Sequence, residues 1–240
     1  VCSSDLLRYA EQTPENFRFG LKATERVTVF RFPKLPRYGK DAGVLNSGFL
    51  DAELFREQFL RPLDKVAHRL GPILLEFSQF YPGTIGSGSE FVDRLGAFFD
   101  GLKEETAFQF AVEMRNSNWL KEPYFRCLSE KGASHVFNSW TRMPPLHEQL
   151  ELARPYSSRA MVSRVLLQPG TQYAEAVEAF APYDKIMEDQ PVLRQAVADL
   201  VLRAIELKLP AYIFVNNRAE GSAPRTIENV LAILEKLGVF

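Results

Sequence analysis

"FQFAVEMRNSNWL", residues 108–120, starts as an apolar, aromatic run and ends in Glu113, Arg115, Asn116, Asn118 and Trp119. A short stretch rich in β-branched and aromatic residues reads as a strand. A buried strand that finishes on an acid, a base and amides reads as the rim of a site. Similar runs recur at "FRFGLK" (17–22), "PILLEF" (72–77), "ASHVFN" (133–138), "MVSRVLL" (161–167) and "AYIFVN" (211–216). Helical spacing falls between them, near 51–69, 89–103, 121–131, 172–181, 191–208 and 223–237. Alternating strand and helix predicts parallel strands with crossover helices.

A closed eight-stranded barrel uses roughly 30 residues per βα unit. The chain has 240 residues and six such runs. The expected fold is therefore α/β, a (β/α)8 TIM-type barrel whose first two βα units are missing, about 60 residues by the same arithmetic. The alternative is an open doubly wound sheet. Such a sheet usually carries a Gly-rich nucleotide turn after its first strand, and "KATERVT" has no glycine. Residues 1–6, "VCSSDL", are what the codons GTG TGC TCT TCC GAT CT- encode, a string resembling a sequencing-adapter end. They are expected to be adapter read-through at the edge of a truncated gene, with residues 7–240 forming one partial barrel domain.

Composition bounds the function classes. Apolar residues make up 46% and charged residues 25%, with net charge −1, so a non-specific nucleic-acid field is not expected. Cys2 and Cys127 are the only cysteines, too few for a disulfide framework. No run approaches the roughly 18–20 apolar residues of a membrane span, and no secretion signal is visible. A cytoplasmic protein with no membrane partner is expected.

Parity along each strand places the polar residues. In a barrel alternate residues face inward, which groups Gln109, Ala111, Glu113 and Arg115 on one face of their strand. Leu74, Glu76 and Ser78 share a face, as do Ser134, Val136, Asn138 and Trp140. Val162, Arg164 and Leu166 share another, Lys22 falls with Arg18 and Gly20, and Asn216 closes the last strand. Most of these polar groups stand at C-terminal strand ends, where barrel active sites lie. The expected reaction is metal-independent hydrolysis, elimination or isomerisation of a small polar or anionic substrate. Glu113 and Glu76 are the candidate acid–base pair. Lys22, Arg115 and Arg164 would hold negative charge, Asn138 and Asn216 would orient the ligand, and Trp119 or Trp140 would stack on it. Mutual neutralisation of these charges is the competing structural reading. A non-catalytic barrel that binds a nucleotide or nucleic acid is the alternative function.

Three long loops follow strands. "RFPKLPRYGKDAGVLNSG" (31–48) is either a solvated basic loop or an anion binder. "SQFYPGTIGSGS" (78–89) lacks the Gly-Lys-Ser/Thr ending of a nucleotide loop. "SWTRMPPLHEQLELARPYSS" (139–158) is far longer than usual. The closing turn "VNNRAEGSAP", with Asn217 and Gly221, precedes a helix N-terminus, a frequent phosphate position, although ordinary capping by Ser222 explains it equally. The three histidines are dispersed. His135 has helix-facing parity, His68 ends a helix, and only His147 stays a candidate. No cofactor motif is visible, so no metal and no cofactor are expected.

"LGPILLEFSQFYP", "FAVEMRNSNWL", "HVFNSWTRMPPLHEQL" and "YIFVNNRAEGSAPRTI", in that order, resemble the YecE-like family, the domain of unknown function numbered seventy-two. The resemblance runs from about Thr13 to the end of the chain. It implies a (β/α) barrel and carries the family's characteristic positions onto Lys22, Glu113, Arg115, Trp119, Asn216 and Gly221. One departure stands out. Many members have a Thr-His pair after the lysine strand, where this chain has Thr28 and Val29. The family has no established reaction, and a kinship with metal-dependent DNA-repair barrels is not supported by the histidines present.

Overall fold

The computed structural model describes residues 3–81, 83–167 and 178–239. Six parallel strands stand in chain order in one open sheet, β1 to β6: Phe19–Lys22, Leu70–Phe77, Gln109–Met114, Ser134–Ser139, Met161–Val165 and Ala211–Val215. This overturns the closed eight-stranded barrel with two missing units. The strands fall where the apolar runs predict. The closure does not, because βα alternation at a given spacing is common to open and closed parallel sheets. The two extra strands came from arithmetic on unit length, and no residue of the chain encodes them.

By compactness the chain divides into two units. One runs to Met114 and resumes over Glu122–Ala133, and the other comprises Arg115–Lys121 and Ser134 onward.

In the first unit β2 lies between β1 and β3. Its helices are α1 (Ser3–Glu11), the single turns α2 (Glu25–Thr28) and α3 (Ala52–Phe55), α4 (Gly88–Gly101) and α5 (Glu122–Lys131). The segment read as one helix over 51–69 changes winding twice, from α to π over Arg56–Leu60 and to 3-10 over Arg61–Arg69. Strand alternation sets the core. Ile73, Leu75, Phe77 and Val112 are buried on the helix side, and Phe110 shares that side. Phe77 meets Phe91 edge-on at 5.0 Å, and Phe110 lies 6.0 Å from Phe99 and 6.2 Å from Phe55. Each such ring contributes about 1.5–3 kcal/mol by leaving water. α4 starts where the Ser87 side chain accepts from the Glu90 amide at 3.1 Å, and the Glu90 side chain takes the amide of Gly86, just before that cap, at 2.9 Å. The Gly86 amide of the Gly-rich loop thus serves its own helix.

In the second unit β5 lies between β4 and β6. α6 (Leu146–Ala153), α7 (Pro191–Leu207) and α8 (Ala223–Lys236) pack Leu146, Leu150, Val197, Leu200, Val230 and Leu234 against Phe137, Met161 and Val165. α7 ends on Lys208 in the left-handed conformation, a place where glycine is usual. The long loop expected over 139–158 is in fact interrupted by α6. Leu146, Gln149 and Leu150 repeat at helical spacing after Pro144 and Pro145, a start signal that the prolines masked. The helix expected over 172–181 is described only from residue 178 on.

Candidate functional site

In the first unit the candidate residues form a row at the C-terminal strand ends. Glu76 and Glu113 are partners in register on β2 and β3, so both carboxylates leave the sheet on the same face. Lys22, last residue of β1, places its Nζ 3.2 Å from Glu76 Oε1. The lysine side chain is 44% exposed, while that of Glu76 is 9% exposed and Glu113 is fully buried. Behind Glu113, the Tyr124 hydroxyl of α5 donates to the Val112 carbonyl at 3.2 Å. Burial pushes the Tyr124 phenol well up, and the nearby charges of Cys127 and Glu113 add to it. The row therefore has an exposed lysine at one end and a fully buried carboxyl group at the other.

In the second unit the face repeats in levels. Val136, Val162 and Tyr212 are partners in register, and Asn138, Arg164 and Phe214 follow one level on. Asn138 is fully buried. Its backbone is held by a residue the sequence reading missed. Gln149 of α6 accepts from the Asn138 amide at 3.2 Å and donates to its carbonyl at 2.8 Å and to the Pro144 carbonyl at 2.6 Å. Gln149 also lies 3.4 Å from the His135 ring. His135 sits on the helix side as parity predicts, and burial lowers its pKa to about 4. Arg115 lies over the Trp140 ring, 4.1 Å from its centroid. The Arg115 guanidinium thus covers one face of Trp140. Trp119 sits half-buried on the turn Ser117–Trp119.

The closing turn is largely occupied with its own architecture. Asn216 accepts from the Arg218 amide at 3.0 Å. Asn217 accepts from the Ala223 amide at 2.8 Å, so it, and not the Ser222 side chain, caps α8. Gly221 has φ +112°, and a Cβ built there would stand 2.6 Å from the Lys185 carbonyl oxygen. Close backbone approach explains this glycine without a ligand. Beside it lies a second missed residue. Glu220 is fully buried, and its Oε1 accepts from the Gln190 amide and from Arg194 Nε, each at 2.8 Å. Arg194 also bonds Asp189. Burial pushes the Arg194 guanidinium down, but the bonds to Glu220 and Asp189 push it up by more. In the first unit Glu105 does the same job, bonded by Arg56 at 2.8 Å and Arg61 at 3.2 Å.

Other sequence candidates are accounted for more plainly. In the basic loop Arg31 donates to the Gly43 carbonyl at 2.8 Å, and Arg37 to Glu25 and to Tyr38. His147 is exposed on α6, at the rim of an open groove with Arg154, Asp199 and Glu206. Among the described residues no three His, Cys, Asp or Glu side chains converge as metal ligands. No described helix is long and apolar enough to cross a membrane.

Solved structures share this fold. One is a DUF72 family protein from Thermotoga maritima, 18% identical, TM-score 0.60, covering 97% of this chain and 79% of that one. Another is a DUF72 family protein from Enterococcus faecalis V583, 19% identical, TM-score 0.64, covering 98% of this chain and 80% of that one. At such identities the likeness speaks for the fold alone. No curated protein matches. Residues 3–238 match the family model described as protein of unknown function DUF72, and the chain belongs to that family.

Proposed function

We propose that this protein is an enzyme, a hydrolase, lyase or isomerase, that moves a proton on a small polar or anionic substrate at the C-terminal strand ends of its first unit. The observation that carries this reading is the row Lys22–Glu76–Glu113, with two carboxylates in register and a lysine 3.2 Å from one of them. Taking two like charges out of water side by side costs several kcal/mol, and reaction chemistry gives such an arrangement a use. Glu113 takes or gives the proton. Glu76 and Lys22 hold opposite charge next to it, and Lys22 meets the oxyanion that develops on the substrate. The lysine also competes with a divalent cation for Glu76, which favours chemistry without a metal. In register the two Cα atoms stand one strand spacing apart, about 4.8 Å.

A second reading, a non-catalytic binder of nucleotides or nucleic acid, draws on Arg115, Arg164 and Trp140 of the second unit. One experiment separates them. The protein is screened by thermal shift against sugar phosphates, nucleotides and short oligonucleotides, where a ligand at 100 times its dissociation constant adds about 2.7 kcal/mol. Hits are then assayed for turnover. The enzyme reading expects turnover that Glu113→Gln lowers by about 10²–10⁴-fold with binding retained. Binding with no turnover in either form rejects it.

A further inference from the structure

Buried carboxylates away from the strand-end row are answered by arginine. Glu105 takes Arg56 and Arg61, and Glu220 takes Arg194. Glu76 meets a lysine, with Lys22 Nζ 3.2 Å from its Oε1. The difference is chemical. A guanidinium keeps its proton in a protein, whereas an amine can give one up and become a nucleophile. Exposure points the same way. The Lys22 side chain is 44% exposed and that of Glu76 9%, so a substrate arriving at the strand ends reaches the amine first. Closed barrels and open α/β sheets alike place their reacting groups at this end of the strands.

The charges around the amine favour one kind of intermediate. Glu76 and its in-register neighbour Glu113 bring two carboxylates to a row with one lysine. Such surroundings stabilise a cation that forms at the lysine nitrogen. An iminium is that cation. It keeps the charge of the ammonium and one N–H for Glu76. It also draws electrons from the adjoining carbon, so that a hydrogen there becomes acidic. Glu113 then has a defined proton to move.

We propose that Lys22 is a Schiff-base nucleophile, and that the substrate is a small aldehyde or ketone with a hydrogen on the carbon next to its carbonyl. The proposal rests on the acid–base reading of the same row and names its substrate class. Glu76 takes a proton from the Lys22 ammonium. Expulsion of water by the bound substrate favours this transfer, because charged forms lose most on leaving water. The Nζ lone pair forms a bond to the carbonyl carbon, and the C=O π pair moves to oxygen, which takes the proton back from Glu76. The nitrogen gives its next proton to Glu76, which passes it to the hydroxyl as that group leaves as water. The nitrogen lone pair completes the C=N bond. One ammonium and one carbonyl thus become one iminium and one water, with no change of charge and no oxidant or reductant. Glu113 removes the neighbouring proton to give the enamine.

The test is reductive trapping. The full chain is incubated with dihydroxyacetone or with pyruvate and treated with borohydride, which reduces an iminium to a stable secondary amine. Intact mass and a peptide map are then read. The expected result is one adduct per chain, on Lys22, with at least one of these carbonyls, while the exposed Lys34 and Lys40 stay unlabelled. Lys22→Arg, which keeps the charge beside Glu76, loses the adduct. If that variant does not fold, the peptide map of the wild-type chain still decides the matter. Glu113→Gln keeps the adduct, because iminium formation does not use Glu113, and loses exchange of the neighbouring hydrogen in deuterium oxide. No adduct on Lys22 with either carbonyl overturns the proposal, as does labelling no greater than at Lys34 and Lys40. Turnover that depends on Glu113 without any adduct would overturn the Schiff base alone and leave the acid–base reading in place. An adduct on Lys22 with exchange intact in Glu113→Gln would do the reverse.

Discussion

Glu113 and Glu220 are both fully buried carboxylates, yet their surroundings differ in kind. Glu220 is answered. Arg194 reaches it from α7 at 2.8 Å, and the Gln190 amide bonds the same oxygen. Its backbone carbonyl also takes the Met187 and Glu188 amides, at 2.7 and 3.2 Å. Every contact points inward to the architecture of the closing turn. The in-register neighbour of Glu113 is another carboxylate, Glu76, at a strand end, with an exposed lysine beyond it. A burial answered by an arginine and backbone amides explains itself structurally. Glu113 stands beside a second carboxylate whose lysine partner is exposed to solvent, and the proposed chemistry uses that arrangement.

Breaking the answered pair carries the largest expected effect. Arg194→Ala leaves Glu220 buried with its charge uncompensated, and chemical denaturation should show a loss of about 3–5 kcal/mol. A loss under about 1 kcal/mol would mean that the turn is held by packing alone.

His135 sharpens the comparison by pH. Burial against Gln149 and Phe137 keeps it neutral, with its pKa lowered to about 4. The unfolded chain binds a proton near the ordinary histidine value of about 6.5, so this contribution is intact above that pH. It is lost as pH falls from about 6.5 to 4, roughly 3 kcal/mol in all. Melting temperature followed over that window should drop with acid, and His135→Gln should remove one proton from the slope. An unchanged slope in that variant would assign the acid sensitivity elsewhere.

Gly221→Ala acts on the turn without touching a charge. The new methyl group would stand 2.6 Å from the Lys185 carbonyl oxygen, at φ +112°. The expected cost is about 1–3 kcal/mol. Lost binding of a screened ligand at full stability would instead place Gly221 against that ligand.

How far the sequence reaches follows from the same residues. Strand positions and faces were legible because alternation is local. Phe77 and Phe110 pack to the helices, and Glu76 and Glu113 to the other face, as period two requires. The number of strands in the sheet was not legible, since closure depends on how distant strands pair. The Arg194–Glu220 pair joins residues 26 apart, and no local pattern links a helix arginine to a turn carboxylate. Gln149 was hidden by Pro144 and Pro145, which marked a loop where a helix begins. Trp140 read as a stacking platform because sequence does not show that Arg115 covers it.

The comparison itself is tested most directly without any substrate. Glu113→Gln and Glu220→Gln are unfolded side by side in urea. The account predicts that Glu220→Gln loses about 3 kcal/mol or more, because Arg194 is left buried without its partner. It predicts that Glu113→Gln stays within about 1 kcal/mol of the parent, because a group placed for reaction contributes little to stability. If Glu113→Gln falls as far as Glu220→Gln, then Glu113 is a structural carboxylate and the proposed acid–base site is wrong.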